Sequence, residues 1–407
     1  MKIKHVQGIV IGALLMLNTD VFATNGMRMI GFGPVQRSMG GVSVGTALDA
    51  ASLLTNPAGM TDLKARIDFG ASYFAPAVEY KATGAAPGVM VSDGVTVESD
   101  KGASPVPAFG LIVPISENIT FGIGAYGISG MGVDYEQNLY QSILSTSYSQ
   151  MRFAPGIAYK ISNMISVGAV VNIMYATMEF SAATNGTAAG FPADQQEHMG
   201  AASFGYGGTV GITVKPIEMV KVGLAYETKS VFQDFKFNTD TGRDKLEFNQ
   251  PQNITFGMAV MPVDGLILAA DVQWIQWSDT NGENLPEYTE NTGAMAWNLN
   301  WEDQIVYKLG LQYSVNPMID VRAGFTYGKM PLDKNRAFEN VAFPAIAEYH
   351  YTAGFGVHFN KNLALNAGGM FSPKAKISGS NAAGQFIAEY ETRMSQYSLD
   401  VGIAYTF

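Results

Sequence analysis

The sequence contains no cysteine, few histidines and little charge. The absence of cysteine among 407 residues excludes disulfides, thiolate zinc sites and cysteine nucleophiles. Only four residues are histidine, and charged residues make up 15% of the chain. The formal net charge is −10, and Lys and Arg are not clustered along the sequence. Binding to nucleic acid is therefore not expected, because it requires clustered cations that neutralise phosphates.

Long apolar runs are also missing. No run of 18 or more apolar residues occurs after the N-terminus, which excludes membrane-spanning helices. At the N-terminus, Lys2 and Lys4 precede an apolar stretch from Val6 to Leu17 and a small-x-small site that ends at Ala23. This order is typical of a secretory signal peptide. Because the stretch is too short to span about 30 Å of hydrocarbon, we predict a cleaved signal peptide over residues 1–23 rather than an anchor.

The chain instead alternates apolar residues with small or polar ones after about Arg66. In one segment, for example, Ile165, Val167 and Ala169 alternate with Ser166 and Gly168. A period of two predicts strands. Strands that show lipid at every second residue form the wall of a membrane barrel, which needs no continuous apolar run. The pattern therefore predicts an all-β fold in one large domain.

Turn residues divide this domain into strands. Short turns rich in Gly, Pro, Asn or Asp occur near residues 116–118, 162–163, 215–218, 262–265, 316–317 and 360–362, and longer polar loops near 79–102, 130–149, 181–199, 232–246, 279–301, 331–346 and 377–388. Six turns and seven loops predict a 14-stranded antiparallel transmembrane β-barrel over residues 65–407. The last segment alternates up to Phe407, and a closing aromatic residue resembles the signal read by the bacterial barrel-assembly machinery. We therefore expect the protein to lie in the outer membrane of a Gram-negative bacterium.

Residues 24–64 break the strand pattern. They are rich in Gly, Ala and Ser and include Gly33-Pro34, Met39-Gly40-Gly41, Asp49-Ala50-Ala51 and Asn56-Pro57-Ala58-Gly59. Small residues favour close packing in a confined space, so we predict an N-terminal hatch that plugs the lumen. The alternative is a disordered periplasmic tail, but the low charge of the segment is unlike disordered sequence.

These hatch motifs resemble the long-chain fatty acid transporter family (FadL/TodX, outer-membrane transport proteins). The similarity covers the whole chain in layout, and motif identity is confined to the hatch and the third strand. The resemblance implies a fourteen-stranded barrel with an Asn-Pro-Ala motif in the hatch, at Asn56, Pro57 and Ala58. It also implies a kink in the third strand that opens the wall sideways, at Tyr126 and Gly127, with Ser129 and Gly130 following.

The residues of the third strand favour such a kink. Gly122, Gly124 and Gly127 lie close together, and glycine inside a strand marks a bulge, a bend or a close approach. The alternative is that barrel strands are rich in glycine throughout, because small inward residues relieve crowding. The lateral opening therefore depends on the resemblance as well as on the glycines.

The period of two also assigns side chains to the lumen. If aromatic and aliphatic residues face lipid, the candidate substrate-binding residues Arg152, Val170, Met174, Lys308 and Arg322 point inward. Such a mixed lining suits an amphipathic substrate whose carboxylate meets Arg152 or Lys308 and whose tail meets Met and Val. The alternative is that these cations pair with Asp320, Asp271 or carboxylates of the hatch.

The loop after the third strand carries the candidate capture groove. Tyr135, Leu139, Tyr140, Ile143 and Leu144 are spaced at intervals that place them on one face of short helices. In the family that the chain resembles, a hydrophobic groove at this position takes up substrate first. Packing of loop against loop is the alternative.

Together these features predict passive outer-membrane uptake of hydrophobic small molecules, such as long-chain fatty acids or related hydrocarbons. A structural or adhesin-like barrel and an aqueous general porin are the alternatives. Catalysis is not expected, because the histidines are few and no nucleophile elbow is present. We expect a monomer without cofactor or metal, whose partners are the hydrophobic substrate, the lipid bilayer with its lipopolysaccharide (LPS), and the assembly machinery.

Overall fold

The computed structural model describes residues 25–84, 94–135, 143–183, 196–239, 242–280, 288–289, 299–337, 340–379 and 389–407. The predicted signal peptide, residues 1–23, lies outside these ranges and stays a prediction. The fourteen wall strands, here named β1 to β14 in chain order, are Arg66–Thr83, Ser104–Pro114, Ile119–Asp134, Ile143–Lys160, Ile165–Ala183, Gln196–Ile217, Val220–Glu227, Asn253–Val260, Leu266–Ile275, Gln304–Asn316, Ile319–Gly328, Tyr349–His358, Leu363–Gly379 and Glu389–Thr406.

The wall closes on itself. Each strand pairs with the next in antiparallel register, and β1 pairs with β14 from Arg66 opposite Thr406 to Thr83 opposite Glu389. Closure gives every wall strand two neighbours and so removes the sheet edges that invite aggregation. The predicted 14-stranded antiparallel β-barrel is thereby confirmed.

The two faces of the wall follow the predicted period of two. On β14, Leu399 and Val401 are exposed, whereas Ser398 and Asp400 between them are buried. The inward assignments also hold: Ile112, Val170, Met174 and Val306 are all buried in the lumen. Lipid selects apolar residues on one face only, which is why the parity was readable from the sequence.

The two rims of the barrel differ. One carries short turns, as at Gly265, whose φ of 80° favours glycine. On the other rim the strands run further than predicted, because β1 continues to Thr83 and β5 to Ala183, where loops were expected from residues 79 and 181. Strand pairs satisfy their own hydrogen bonds, so they can extend into water without apolar residues.

Short elements decorate the long rim. They are the strands Thr96–Glu98, Val231–Phe232, Phe235–Thr239, Gly242–Leu246 and Tyr288–Thr289 and the 3-10 helices Trp277–Asp279 and Lys334–Arg336. Thr96–Glu98 adds to β1, and Val231–Phe232 adds to β6. Phe235–Thr239, Gly242–Leu246 and Tyr288–Thr289 form a separate small sheet.

The segment before β1 lies inside the barrel and contains α1 (Gly33–Ser38), α2 (Ser52–Thr55) and the 3-10 helix Pro57–Asp62. Inward side chains of β11, β12 and β14 hold it. The backbone of Gly40 bonds to Thr352 and Thr326, at 2.9 and 2.6 Å, and Arg37 forms a buried ion pair of 2.8 Å with Asp400. We call residues 25–64 the hatch. In the ranges that the structure describes, no helix has the length and apolar character to cross a membrane.

Candidate functional site

A gap interrupts the wall between β2 and β3. These strands pair from Pro114 opposite Thr120 to Ala108 opposite Tyr126, and their ladder ends there. Beyond that point β3 pairs with β4 but no longer with β2, with a register shift between Gly127 and Ser129, and its last residue, Asp134, bonds to Ser99 and Asp100. A bulge leaves one residue unpaired and bends the strand. This bulge falls at the residues where the resemblance placed a kink.

The first described residues of the hatch line this gap. The amide of Met29 donates to the carbonyl of Ile128 at 3.1 Å, and the amide of Gly130 donates to the carbonyl of Met27 at 3.1 Å. The hydroxyl of Ser129 also donates to Met27, at 2.7 Å. The N-terminal segment thus takes hydrogen bonds of the β3 edge that β2 leaves unpaired.

Two prolines mark the same place on β2. Pro105 and Pro107 precede Ala108, the last residue of β2 that pairs with β3. Proline cannot donate to a ladder and is confined to strand edges and bulges. The two prolines are thus a sequence signal for the end of the β2–β3 ladder, beside the glycines of β3. A Cβ added at Gly127 would lie 2.6 Å from Cγ1 of Val106, so glycine permits the approach of the two strands here.

One carboxylate joins the hatch to the candidate cation Arg152. Glu227 on β7 pairs with Arg28 of the hatch at 2.7 Å, and its other oxygen accepts from Arg152. Asn253 also donates to Glu227, at 3.1 Å. All four side chains are buried. The alternative named Asp320, Asp271 or hatch carboxylates as partners of the luminal cations, and for Arg152 the partner is instead Glu227 of the wall.

Arg152 retains unused donors. Its Nε and Nη1 have no hydrogen-bond partner among the described residues, although the side chain is only 1% exposed. A buried donor without a partner is costly, since it has lost water and gained nothing. Arg152 therefore keeps two buried donors that no described residue satisfies.

Lys308 is engaged by the hatch. Its ammonium donates to the carbonyl of Ile30 at 3.0 Å, and it lies opposite Asp271 in the wall register. Asp271 in turn accepts from the amides of Ser43 and Val44, at 2.9 and 3.2 Å. The two residues hold two separate segments of the hatch.

Between these groups lies a small cavity of about 30 Å³. Arg28, Lys308, Glu227 and Asp271 line it together with Phe32. The cavity therefore combines both signs of charge with apolar surface.

Arg322 lies apart from this cluster. Its guanidinium donates to Gln312 at 2.6 Å and to Asn366 at 2.9 Å, and it contacts Asp320 at 3.4 Å. Asp320 also contacts Nε2 of His358 at 2.9 Å, near the short-turn rim. Lys308 thus lines the cavity, Arg152 is linked to it through Glu227, and Arg322 lies in a separate network.

The Asn-Pro-Ala motif fixes the hatch to the wall. The Asn56 amide donates to the carbonyls of Val44 at 2.9 Å and Ile212 on β6 at 3.1 Å, while its side-chain oxygen accepts from Ala58 at 3.2 Å. Pro57 begins the following 3-10 helix, where a fixed φ and a missing N–H are tolerated. One side chain therefore caps a helix and bridges to the barrel.

Glycines of the wall make this contact possible. A Cβ at Gly168 would lie 2.5 Å from the amide nitrogen of Ala58, and one at Gly211 would overlap the Asn56 side chain. On the opposite wall, a Cβ at Gly310 would lie 2.6 Å from the carbonyl of Met39. Glycine in a strand allows another backbone to approach closely. Many wall glycines thus serve the hatch, a role that the sequence analysis did not assign to them.

Apolar side chains fill the described lumen on the loop side of the hatch. They include Met27, Tyr148, Met174, Met178, Phe235, Phe248, Trp277 and Val306, all fully buried. Met174 lies opposite Arg152 in the ladder, and Val170 is four residues further along β5. Tyr148 packs edge-on against Phe248 at 5.2 Å and accepts from Gln250 at 3.0 Å. The apolar candidates thus border the cationic one.

The candidate capture groove is only partly described. Leu139 and Tyr140 lie outside the described residues, and Ile143 and Leu144 begin β4, where only their backbone is described. Tyr135 is buried, donates to the carbonyl of Val341 at 3.2 Å and packs against Tyr80. For Tyr135 the structure shows the alternative, packing of loop against loop. The short helix expected at Ile143 and Leu144 is wrong, because these residues belong to a strand.

A closed barrel, a hatch bonded to its inner wall and a gap beside the hatch define a plugged outer-membrane transport barrel. The family described as "Outer membrane protein transport protein (OMPP1/FadL/TodX)" matches residues 23–407, so the chain belongs to that family. Outer membrane protein P1 of Haemophilus influenzae is 21% identical over 405 residues, which cover 88% of this chain and 81% of that protein. The chain is an outer-membrane protein.

Solved structures share the fold. The toluene transporter TodX of P. putida superposes with a TM-score of 0.74 at 18% identity and covers 93% of this chain and 99% of its own. A FadL homologue of Pseudomonas aeruginosa gives 0.78 at 16% identity, with coverages of 94% and 100%. The toluene transporter TbuX of Ralstonia pickettii gives 0.69 at 18% identity, with coverages of 93% and 99%.

Proposed function

We propose that this barrel takes up hydrophobic small molecules across the outer membrane by passive diffusion, and that they leave sideways through the gap between β2 and β3. The observation that carries the proposal is the end of the β2–β3 ladder at Ala108 and Tyr126, with the hatch bonded to Ile128 and Gly130 beyond it. The hatch lies across the route along the barrel axis, which favours an exit through the wall. The membership of the chain in the outer-membrane transport family supports the proposal.

The lining favours a mainly apolar substrate. Aromatic and Met side chains dominate the described lumen beside Arg152, and Met adapts to ligands of varied shape. The two free donors of Arg152 suit one polar end, such as a carboxylate. These features support long-chain fatty acids as substrates, and related hydrocarbons, among them monoaromatic ones, as ligands of the apolar part. The related TodX and TbuX are toluene transporters.

An aqueous general porin is the less favoured alternative. The hatch and the apolar side chains above it are buried, whereas a water-filled channel needs a polar lining. In planar bilayers we expect almost no steady conductance. A large steady conductance would favour the general porin over this proposal.

The proposal is tested by uptake of oleate, octane and toluene into cells that lack their own transporter. We expect the parent chain to raise uptake of at least one of the three. Gly127→Val should lower it several-fold, because the added side chain projects into Val106 at the gap. Gly200→Val is the matched control, since a Cβ there has no atom nearer than Cγ of Glu179 at 3.7 Å.

Arg152→Met separates the substrate classes. We expect it to lower oleate uptake and to spare toluene, because only the fatty acid uses the free donors. If neither the parent nor any variant raises uptake, the proposed transport function is overturned. Full uptake by a folded Gly127→Val barrel would overturn the lateral route alone.

A further inference from the structure

Cations gather on the outer face of the barrel where β1, β13 and β14 meet. Lys81 on β1, Lys374 and Lys376 on β13, and Arg393 on β14 lie there, and we call these four residues the basic patch. Lys81 is opposite Glu391 in the β1–β14 ladder, and Lys376 is opposite Arg393 in the β13–β14 ladder. Three adjacent strands thus bring together cations that are up to 312 residues apart in the chain, since Lys81 and Arg393 differ by that number.

The patch faces outward because of a bulge. Phe371 on β13 points to lipid, and a strict period of two would turn Lys374 and Lys376 into the lumen. The register between β13 and β14 shifts between Ser372 and Ala375, which reverses the parity. The side chains of Lys374 and Lys376 are consequently 56% and 55% exposed.

The patch lies just beyond the lipid-facing band on the loop side. From Phe407 to Tyr397, β14 shows aromatic and aliphatic side chains at every second position. At about 3.3 Å per residue and a tilt of about 40°, this length spans roughly 25 Å, the height of the apolar band of such barrels. Arg393 lies four residues further out, roughly 10 Å above Tyr397 by the same geometry. That is the level of lipid headgroups.

Two carboxylates hold the cations in place without occupying all their donors. Glu79 accepts from Lys374 and from Arg393, each at 3.1 Å. Glu391 accepts from Lys376 at 2.9 Å and from Ser378 at 3.2 Å, and it also pairs with Arg393. A lysine ammonium has three donors, so among the described residues Lys374 and Lys376 each keep two.

The stability of the protein does not account for this arrangement. Exposed ion pairs contribute little to stability, and often nothing measurable. Glu98, opposite Glu79, and Glu389 add two carboxylates to this face, so the patch offers unused lysine donors rather than a net positive charge. These donors lie at the level of the headgroup layer.

We propose that the basic patch binds the phosphate groups of a phosphorylated glycolipid in the outer leaflet, with its acyl chains along Phe371, Tyr397 and Leu399. The phosphate accepts from Lys374, Lys376 and Arg393, and the apolar band directly below accommodates the chains. A free phosphate ion would use the same donors but would gain nothing from the band. The continuity of cations and apolar surface therefore selects the lipid.

The test is native mass spectrometry of the purified, detergent-solubilised full chain with three probes: bisphosphorylated lipid A, the same lipid without phosphates, and inorganic phosphate. We expect tight binding of the first probe only. Lys374→Gln/Lys376→Gln should weaken it about tenfold or more, because each cation near a charged lipid surface contributes about 1 kcal/mol. Lys374→Arg/Lys376→Arg keeps the charges and should bind as the parent does.

The matched control is Lys215→Gln/Lys361→Gln, which removes the same charge at the short-turn rim. It should bind like the parent. Equal binding of lipid without phosphates, or unchanged binding by Lys374→Gln/Lys376→Gln, would overturn the proposal. Binding of inorganic phosphate as tight as that of lipid A would overturn the lipid as ligand. A heat-dependent gel shift checks that each variant is a folded barrel.

Discussion

Arg28 in the hatch and Glu227 in β7 form a buried ion pair of 2.7 Å. Arg28 lies between Met27 and Met29, whose backbones bond to β3 at the gap. Glu227 also binds Arg152, the cation with free donors. One carboxylate thus links the segment at the gap to the proposed substrate site. A ligand bound to Arg152 is connected to that segment through two ion pairs, Arg152–Glu227 and Glu227–Arg28.

Replacing Glu227 should loosen this segment. Glu227→Gln leaves the guanidinium groups of Arg28 and Arg152 buried without a counter-charge, and breaking a buried pair in this way costs roughly 3–5 kcal/mol. We expect a lower temperature of barrel unfolding in detergent, followed by circular dichroism. Glu302→Gln is the control, because its pair with Lys329 is largely exposed. Identical melting of Glu227→Gln and the parent would contradict the role given to Glu227.

Asn56 should govern how firmly the hatch is seated. Asn56→Ala removes the bonds to Val44, Ile212 and Ala58, and each buried partner left unsatisfied costs roughly 1–3 kcal/mol. The chain has no cysteine, so a single one introduced by Ala47→Cys reports on the hatch alone.

We expect maleimide to label that cysteine several-fold faster in the Asn56→Ala background. Asn362→Ala, which removes an exposed bond to Thr406 at the short-turn rim, should leave the rate unchanged. If Asn56→Ala labels no faster than the parent, the motif does not anchor the hatch.

The glycines of the wall should be as important to the plug as the hatch motif itself. Gly211→Ala puts a methyl group into the Asn56 side chain, so the hatch must shift. We expect brief channel openings in planar bilayers that the parent lacks. At Gly208 a Cβ has its nearest atom at 3.4 Å, the Val170 carbonyl oxygen, so Gly208→Ala should stay closed. If neither variant shows channel openings, the wall glycines are not needed to hold the hatch in place.

The hatch should also respond to pH through Asp49. The pKa of Asp49 is raised to about 7, mainly by burial and also by the nearby Asp68, while Arg66, a hydrogen bond from Gln36 and Arg322 oppose the rise. A raised carboxyl pKa means that the folded state prefers the protonated form. Its stabilising contribution is therefore complete below the ordinary value of 3.8 and is lost as the pH rises through 7.

Maleimide labelling of the Ala47→Cys probe should accordingly be faster at pH 8 than at pH 5, after correction for the reactivity of a free thiol. Asp49→Asn is neutral at both pH values and should remove the difference. A pH dependence that survives in Asp49→Asn would assign the effect to another group.

The alternation of residues determined the wall. Because lipid contacts one face of each strand, positions such as Val401 and Asp400 carry opposite characters, and the inward residues could be named before their partners were known. Turn chemistry between the alternating segments then gave the number of strands. The hatch was recognised for the converse reason, since its small residues lack the period of two.

Only the tertiary structure decided what these inward residues contact. Parity gives the face of a residue but not its height or its position around the barrel, so the partner of Arg152 could not be chosen from its sequence. Glu227 is 75 residues from Arg152 and 199 from Arg28, and closure of the barrel around the hatch brings the three together. The gap beside Gly127 was likewise decided by where the β2–β3 ladder ends, because hydrogen bonding between strands depends on register.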